Sequence, residues 1–226
     1  MSRRSDRRPP NRTPLRQHRE TARSSHSESR LIGIQKQNER QQRICSQFES
    51  AQVNAEEWIA RIGSPRALED LLEPPLPDRF TLSAMAGRAR SLTVSRPDLA
   101  ERVARALLVF ADAVPKTSRF PDELPVSASL VLATCRRLCG DLEAAETLLQ
   151  GARAQISGAG QDPLFAAELA VEEAEISAAR GRFREAIESA RTALAAYSDP
   201  NLYPHLRLDL LRKVAVWAAA AEARRQ

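Results

Sequence analysis

Residues 134–156 read TCRRLCGDLEAAETLLQGARAQI and residues 178–200 read AARGRFREAIESARTALAAYSDP, so one pattern stands twice in the chain. In each, an apolar stretch ends at a glycine, Gly140 or Gly181, and a single-sided apolar stripe begins two residues later. Two helices joined by such a turn leave an apolar face uncovered, and a second copy of the pair is what covers it. The pattern commits this part of the chain to packing helix pair against helix pair.

Composition agrees with that commitment. Hydrophobic residues make up 42% of the 226, aromatics only 4%, and Ala and Leu supply most of the bulk, which suits closely packed helices better than a sheet rich in Val, Ile and Tyr. The expected class is all-α. Along the chain, TLSAMAGRARSL predicts one helix. After Pro97 a second carries Leu99, Val103, Leu107, Phe110, Ala111 and Val114 at three- and four-residue steps, until Pro115 ends the pattern. Beyond the linker PKTSRFPDELP, residues 126–139 are apolar on more than one face. The following LEAAETLLQGARAQI keeps one stripe of Leu142, Ala145, Leu148, Leu149, Ala152 and Ile156. The next pair repeats this order: a helix with Leu and Ala on two sides, opened by Asp162 as cap and Pro163 as first residue, then FREAIESARTALAAY with its stripe. A last helix fits residues 203–224.

The segment GRFREAIESARTALAAYSDP, with Gly181, Phe183, Ala186, Ala193, Leu194 and Pro200, and GDLEAAETLLQGA, with Gly140, Asp141, Leu142, Ala145 and Ala152, resemble tetratricopeptide repeats. The two glycines stand 41 residues apart, longer than the family's period of about 34, so the resemblance is to irregular members of that type and covers roughly residues 81–224. It implies a short α-solenoid of antiparallel helix pairs, with Gly140, Ala145, Leu148, Ala152, Gly181, Phe183, Ala186, Ile187, Ala193 and Leu194 as packing positions. Truncating Leu148, Phe183 or Ile187 to Ala is expected to cost about 2–5 kcal/mol. The resemblance also implies a concave face of inner helices that holds a peptide or partner helix. Counted back from each glycine, that face carries Leu130, Thr134, Arg137 and Leu138 in one repeat and Glu168, Val171, Glu175, Ala178 and Ala179 in the next. Leu130, Thr134, Arg137, Glu168, Val171 and Glu175 are the candidate partner-binding residues. Arg137 and Glu175 are its polar candidates, and solvated surface charge is the alternative account of both. The expected function is a protein-binding adaptor or scaffold, with self-association as a way to cover the exposed edge of so short a stack.

Charge is unevenly placed. Residues 1–50 hold eleven Arg and one Lys against five acids, a balance of +7, whereas the whole chain carries +5, which leaves −2 for the remainder. A basic arm, expected to be disordered from Met1 to about Arg30, precedes a slightly acidic body; an exposed helix over about 29–47 is a further expectation. The alternative function is a regulator that contacts nucleic acid through residues 1–30, since clustered Arg releases counterions from phosphates. Against it, Arg outnumbers Lys 31 to 3 throughout, a bias that genome base composition also produces, and no aromatic precedes Phe48 to stack on a base. The domain reading is an arm over 1–50, a short helical segment and Pro-rich linker over 51–77, and the repeat domain over 78–226. Within the middle segment, two short helices meet at Gly63 to Pro65. Their likeness to a DNA-reading helix-turn-helix fails on Glu69, Asp70 and Glu73, which would meet phosphates with the wrong sign.

No hydrophobic run follows the Arg3-Arg4 and Arg7-Arg8 pairs, and none approaches the roughly 18 apolar residues of a membrane span. With three cysteines, an odd count, the expectation is a reduced, cytoplasmic protein with no membrane partner. Cys135 and Cys139 are read as buried free thiols, because His18, His26 and His205 are remote and no second cysteine pair completes a zinc site. Glu172-Glu173 and Glu143-Glu146 are read as solvated charge. Without an accompanying histidine or phosphate loop they give no catalytic site, so no enzyme and no cofactor are expected.

Overall fold

The computed structural model describes residues 15–64, 76–113, 120–156, 163–197 and 204–224, with side chains from residue 35 onward and, in the fourth helix, from residue 123. These residues form eight helices and no strand: α1 (Leu15–Gly63), α2 (Arg79–Leu92), α3 (Pro97–Ala113), α4 (Phe120–Leu138), α5 (Leu142–Ile156), α6 (Pro163–Ala179), α7 (Phe183–Ala196) and α8 (Pro204–Ala223). The chain divides into two compact units, Met1–Glu49 and Ser50–Gln226.

In the first unit α1 is helical from Leu15 and residues 35–49 are all exposed. Good helix formers such as Arg, Gln and Glu carry this stretch without an apolar stripe. Of the stretch expected to be disordered, Met1 to about Arg30, residues 15–30 lie within α1 and residues 1–14 lie outside the described residues.

The second unit begins with the last three turns of α1, which do have a stripe: Ala51, Ala55, Trp58, Ile59 and Ile62 are buried at three- and four-residue steps. Ala55, Trp58, Ile59 and Ile62 share one core with Leu82, Met85, Val103, Leu107 and Phe110 of α2 and α3, and Trp58 meets Phe110 edge to face at 5.4 Å. Residues 51–64 therefore pack as part of the helical body, where the prolines that follow suggest a separate segment. The proposed helix after Gly63–Pro65 lies outside the described residues.

α2 starts at Asp78, whose Oδ1 accepts from Thr81 N at 2.8 Å and satisfies one of the helix's open amides. α4 begins at Phe120, six residues before the apolar run that marks it in the sequence, and takes in Pro125. From α2 onward each helix packs on the next, α2 also touches α4, and α4 touches α6. α2, α4 and α6 thus lie side by side.

The turns α4–α5 and α6–α7 are built alike. Gly140 and Gly181 adopt φ of +84° and +74°, the left-handed region that glycine enters without a Cβ clash. Gly140 N donates to Arg137 O and Asp141 N to Arg136 O; Gly181 N donates to Ala178 O and Arg182 N to Ser177 O. Both are Schellman closures of the preceding helix. The following helices then bury mainly alanine: Ala145 and Ala152 with Leu149 in α5, and Ala186, Ala190 and Ala193 in α7, next to Tyr197. Leu148, Phe183, Ile187 and Leu194 are only partly buried and pack at the edges of these clusters. The deep leucine of α5 is Leu149, one residue beyond the position counted on.

Candidate functional site

Three helices present side chains at the same spacing to one cavity. α4 contributes Leu130 and Thr134, followed a turn later by Arg137. α6 contributes Glu168, Val171 and Glu172, followed by Glu175. α8 contributes Leu206, Asp209, Leu210 and Lys213. Steps of three, four and seven put each set on a single face of its helix. Arg90 and Thr93, at the end of α2, with Val131 and Tyr197, complete a cavity of about 210 Å³. Four of the six candidate residues, Leu130, Thr134, Glu168 and Val171, line it directly.

Leu130 also serves the core and is 6% exposed, while Thr134 Oγ1 donates to Leu130 O at 2.9 Å, which satisfies the hydroxyl within its own helix. Leu138, further along, is exposed.

Arg137 and Glu175 are not solvated surface charges. Arg137 Nε donates to Glu172 Oε1 at 3.0 Å and Nη2 to Glu172 Oε2 at 3.3 Å, a bidentate pair, and Nη1 stands 3.9 Å from Glu175 Oε2. The Glu172 residue is 7% exposed, so its reading as solvated charge is corrected: α4 supplies a cation where α6 buries the carboxylate. Glu175 Oε1 accepts from Lys213 Nζ at 2.6 Å, and Lys213 also reaches Asp209 Oδ2 at 3.0 Å. Burial pushes the Lys213 ammonium toward its neutral form, but the hydrogen bonds to Glu175 and Asp209 outweigh it and hold the group above the ordinary lysine range.

At the other end, Arg90 Nη1 donates to Glu168 Oε1 at 2.6 Å and Nη2 to Ser127 Oγ at 3.1 Å. This pair also lines a second cavity, of about 260 Å³, with Ser83, Gly87, Glu123, Leu124 and Phe165 among its walls. Arg90 and Glu168 thus line both hollows, the first walled by α2, α4, α6 and α8 and the second by α2, α4 and α6.

Arg90, Tyr197 and the α8 residues escaped the sequence reading, as did the role of Glu172. A signal existed in the spacing of opposite charges. Arg137 and Glu172 are 35 residues apart, as are Glu101 and Arg136, which meet at 2.6 Å; Glu146 and Arg182, 36 apart, meet at 2.8 Å. Each pair joins one helix pair to the next.

The other charged candidates are accounted for by similar contacts. Glu146 bridges Arg180 and Arg182, and Glu173 accepts from Arg153 at 2.9 Å; burial raises the Glu173 carboxyl above its ordinary value, with Arg153 opposing that shift. Cys135 is buried with Sγ 3.6 Å from Pro97 O, whereas Cys139, in the turn after α4, is exposed, contrary to the expectation of two buried thiols. Among the described residues no three His, Cys, Asp or Glu side chains gather as metal ligands, and no helix is long and apolar enough to cross a membrane.

The arrangement can do recognition chemistry: an apolar hollow with a rim of fixed charges. No family model matches the chain, and no curated protein or solved structure is similar to it.

Proposed function

We propose that the chain is a protein-docking module of the tetratricopeptide-like kind, with the groove across α2, α4, α6 and α8 as the seat for a segment of another protein. The observation that carries this reading is the convergence of Leu130, Thr134, Glu168 and Val171 on one cavity, with Arg137 and Glu175 held in ion pairs beside it. Two further observations support it. α2, α4 and α6 lie side by side as the inner layer of a two-layer repeat stack would, and two like-built glycine turns reverse the chain at corresponding places. A cavity of this size accommodates one bulky apolar side chain, the usual anchor of a docked peptide.

Thr134→Arg tests the reading, because it fills the hollow from a half-buried position without touching the core clusters. The full chain is expected to retain a partner protein from native extract that Thr134→Arg releases, while both melt at the same temperature. Equal retention by the two would refute the groove as the docking surface.

A further inference from the structure

α8 is apolar on two sides. Leu210, Val214 and Trp217 turn toward the cluster shared with α7, the helix on which α8 chiefly packs, and Leu206 faces the cavity. On the opposite side Leu208, Leu211, Ala215 and Ala219 are exposed at steps of three and four, with Val216 beside them, and so form one uncovered face. Charge along the helix divides in the same way. Of the six charged side chains from Arg207 to Arg224, four are engaged within the unit: Arg207 donates to Tyr197 O, Lys213 binds Glu175 and Asp209, and Arg224 donates to Gly181 O. The other two, Arg212 and Glu222, are exposed, have no ion pair or hydrogen bond to any described residue, and border the apolar face.

We propose that this face is the contact between two copies of the chain, which pack as an antiparallel α8 pair about a twofold axis. In that order Leu208 and Leu211 at the start of one helix lie along the alanines near the end of the other, where small side chains let the backbones approach. When Ala215 of one copy stands opposite Ala219 of the other, Arg212 stands opposite Glu222, and the symmetry repeats both matches. The two charges that a single chain leaves over thus become two ion pairs. A parallel pair would oppose leucine to leucine, Arg212 to Arg212 and Glu222 to Glu222, which loses the close fit and sets like charges together. A ligand of one sign would satisfy only one of the two. One helix face per copy is smaller than the roughly 800 Å² per partner of a stable interface, so the pair dissociates readily, with a Kd on the order of tens of micromolar. The pairing does not depend on what the groove holds. Because the cavity is lined from the other side of α8, both grooves stay open in the dimer, and a ligand with two docking segments gains by holding both.

Sedimentation velocity of the full chain from about 1 to about 200 μM tests the pairing, with Leu211→Glu, Arg212→Glu, Glu222→Arg and the double charge exchange alongside. Each variant is first checked for wild-type helicity and melting at the lowest concentration, where the chain is monomeric. The wild type is expected to pass from a monomer of 25.0 kDa to a species of twice that mass, and Leu211→Glu to stay monomeric throughout. Each single charge reversal sets like charges at both ends of the pair and should weaken association about tenfold, with the deficit shrinking as salt is raised. The double variant restores both ion pairs with the signs exchanged and should return to within about threefold of wild type. This exchange touches only exposed side chains, so it decides the matter even where Leu211→Glu folds poorly. A wild type still monomeric at about 200 μM overturns the proposal. So does a dimer that folded Leu211→Glu leaves intact, because its contact then lies elsewhere, and so does a double variant no stronger than the singles.

Discussion

Replacing Arg137 by Met should destabilise the fold. Arg137 and Glu172 keep 17% and 10% of their side-chain areas exposed and share a bidentate bridge between α4 and α6. Met preserves most of the aliphatic volume, so the main loss is the counter-charge of a carboxylate that stays behind in α6. Removing one partner of a fully buried pair costs about 3–5 kcal/mol. The residual exposure lets water reach part of the vacated space, so about 2–3 kcal/mol is expected here. For a unit of 177 residues, Ser50–Gln226, that loss is a fall of about 5–10 °C in melting temperature. Thermal melts followed by circular dichroism would measure it for Arg137→Met, Glu172→Leu and the double variant. The double should return to within about 1 kcal/mol of the wild type, because the charge left alone in either single variant is gone. A melting temperature for Arg137→Met within about 1 °C of wild type, or a double variant equal to the sum of the singles, would refute the reasoning.

The other predictions concern packing, turns and titration. Leu149→Ala should cost about 2–5 kcal/mol and Leu148→Ala clearly less, since Leu149 is 3% exposed and Leu148 is only partly buried; equal losses in denaturant unfolding would contradict this assignment. Gly140→Ala should cost about 1–2 kcal/mol from its positive φ alone, with open space around the added methyl. Gly181→Ala should cost about 0.5–1 kcal/mol more, because its Cβ would come within 2.5 Å of Arg224 Nη1, which donates to Gly181 O at 2.9 Å, while the guanidinium lies over the Phe183 ring; identical melting curves would count against it. Burial, aided by the Glu101 carboxylate, pushes the Cys135 thiol from the ordinary 9.0 up to about 11. A raised folded value means stability that is whole below the unfolded value and lost as pH climbs, so the fold should weaken between about pH 9 and 11. Cys135→Ala should flatten that decline, and chemical unfolding across the range would detect it. In the native state, a thiol reagent should modify exposed Cys45 and Cys139 well ahead of Cys135.

Periodicity made α3, α5, α6 and α7 legible almost to the residue, because a one-sided stripe or an all-round apolar run reports directly on how a helix is buried. It failed at the start of α4, where Pro121 and Pro125 read as a linker. Proline is tolerated in a first turn because those amides have no partner within the helix, and Pro125, just past that turn, forgoes a single backbone bond near the helix end. Periodicity also failed on α1, whose upper part has no stripe to detect and whose last turns join a core on the far side of a proline cluster. At the groove, counting back from each glycine reached α4 and α6 because the Schellman closure fixes how each of those helices ends. α8 has no such punctuation, and its Lys213 and Asp209 become partners of Glu175 only through tertiary packing. Glu172 was misread for a related reason: next to Glu173 in sequence, it points to Arg137 while its neighbour points to Arg153.

The seams of methyl groups along α5 and α7 make the chain's tolerance to mutation lopsided. Ala145, Ala152, Ala186, Ala190 and Ala193 each have no accessible area left, so any of them that gains even two carbons must push a helix away from its neighbour. Leu148, Phe183, Ile187 and Leu194, at the edges of these clusters, are partly open and can shrink or exchange with modest loss, whereas Leu149 and Tyr197 are closed like the alanines. Drift in such a sequence is therefore free to rewrite the large residues at the cluster edges while its smallest ones stay put. In a distant descendant, the spacing of alanines would outlast the hydrophobic pattern by which helices are ordinarily recognised.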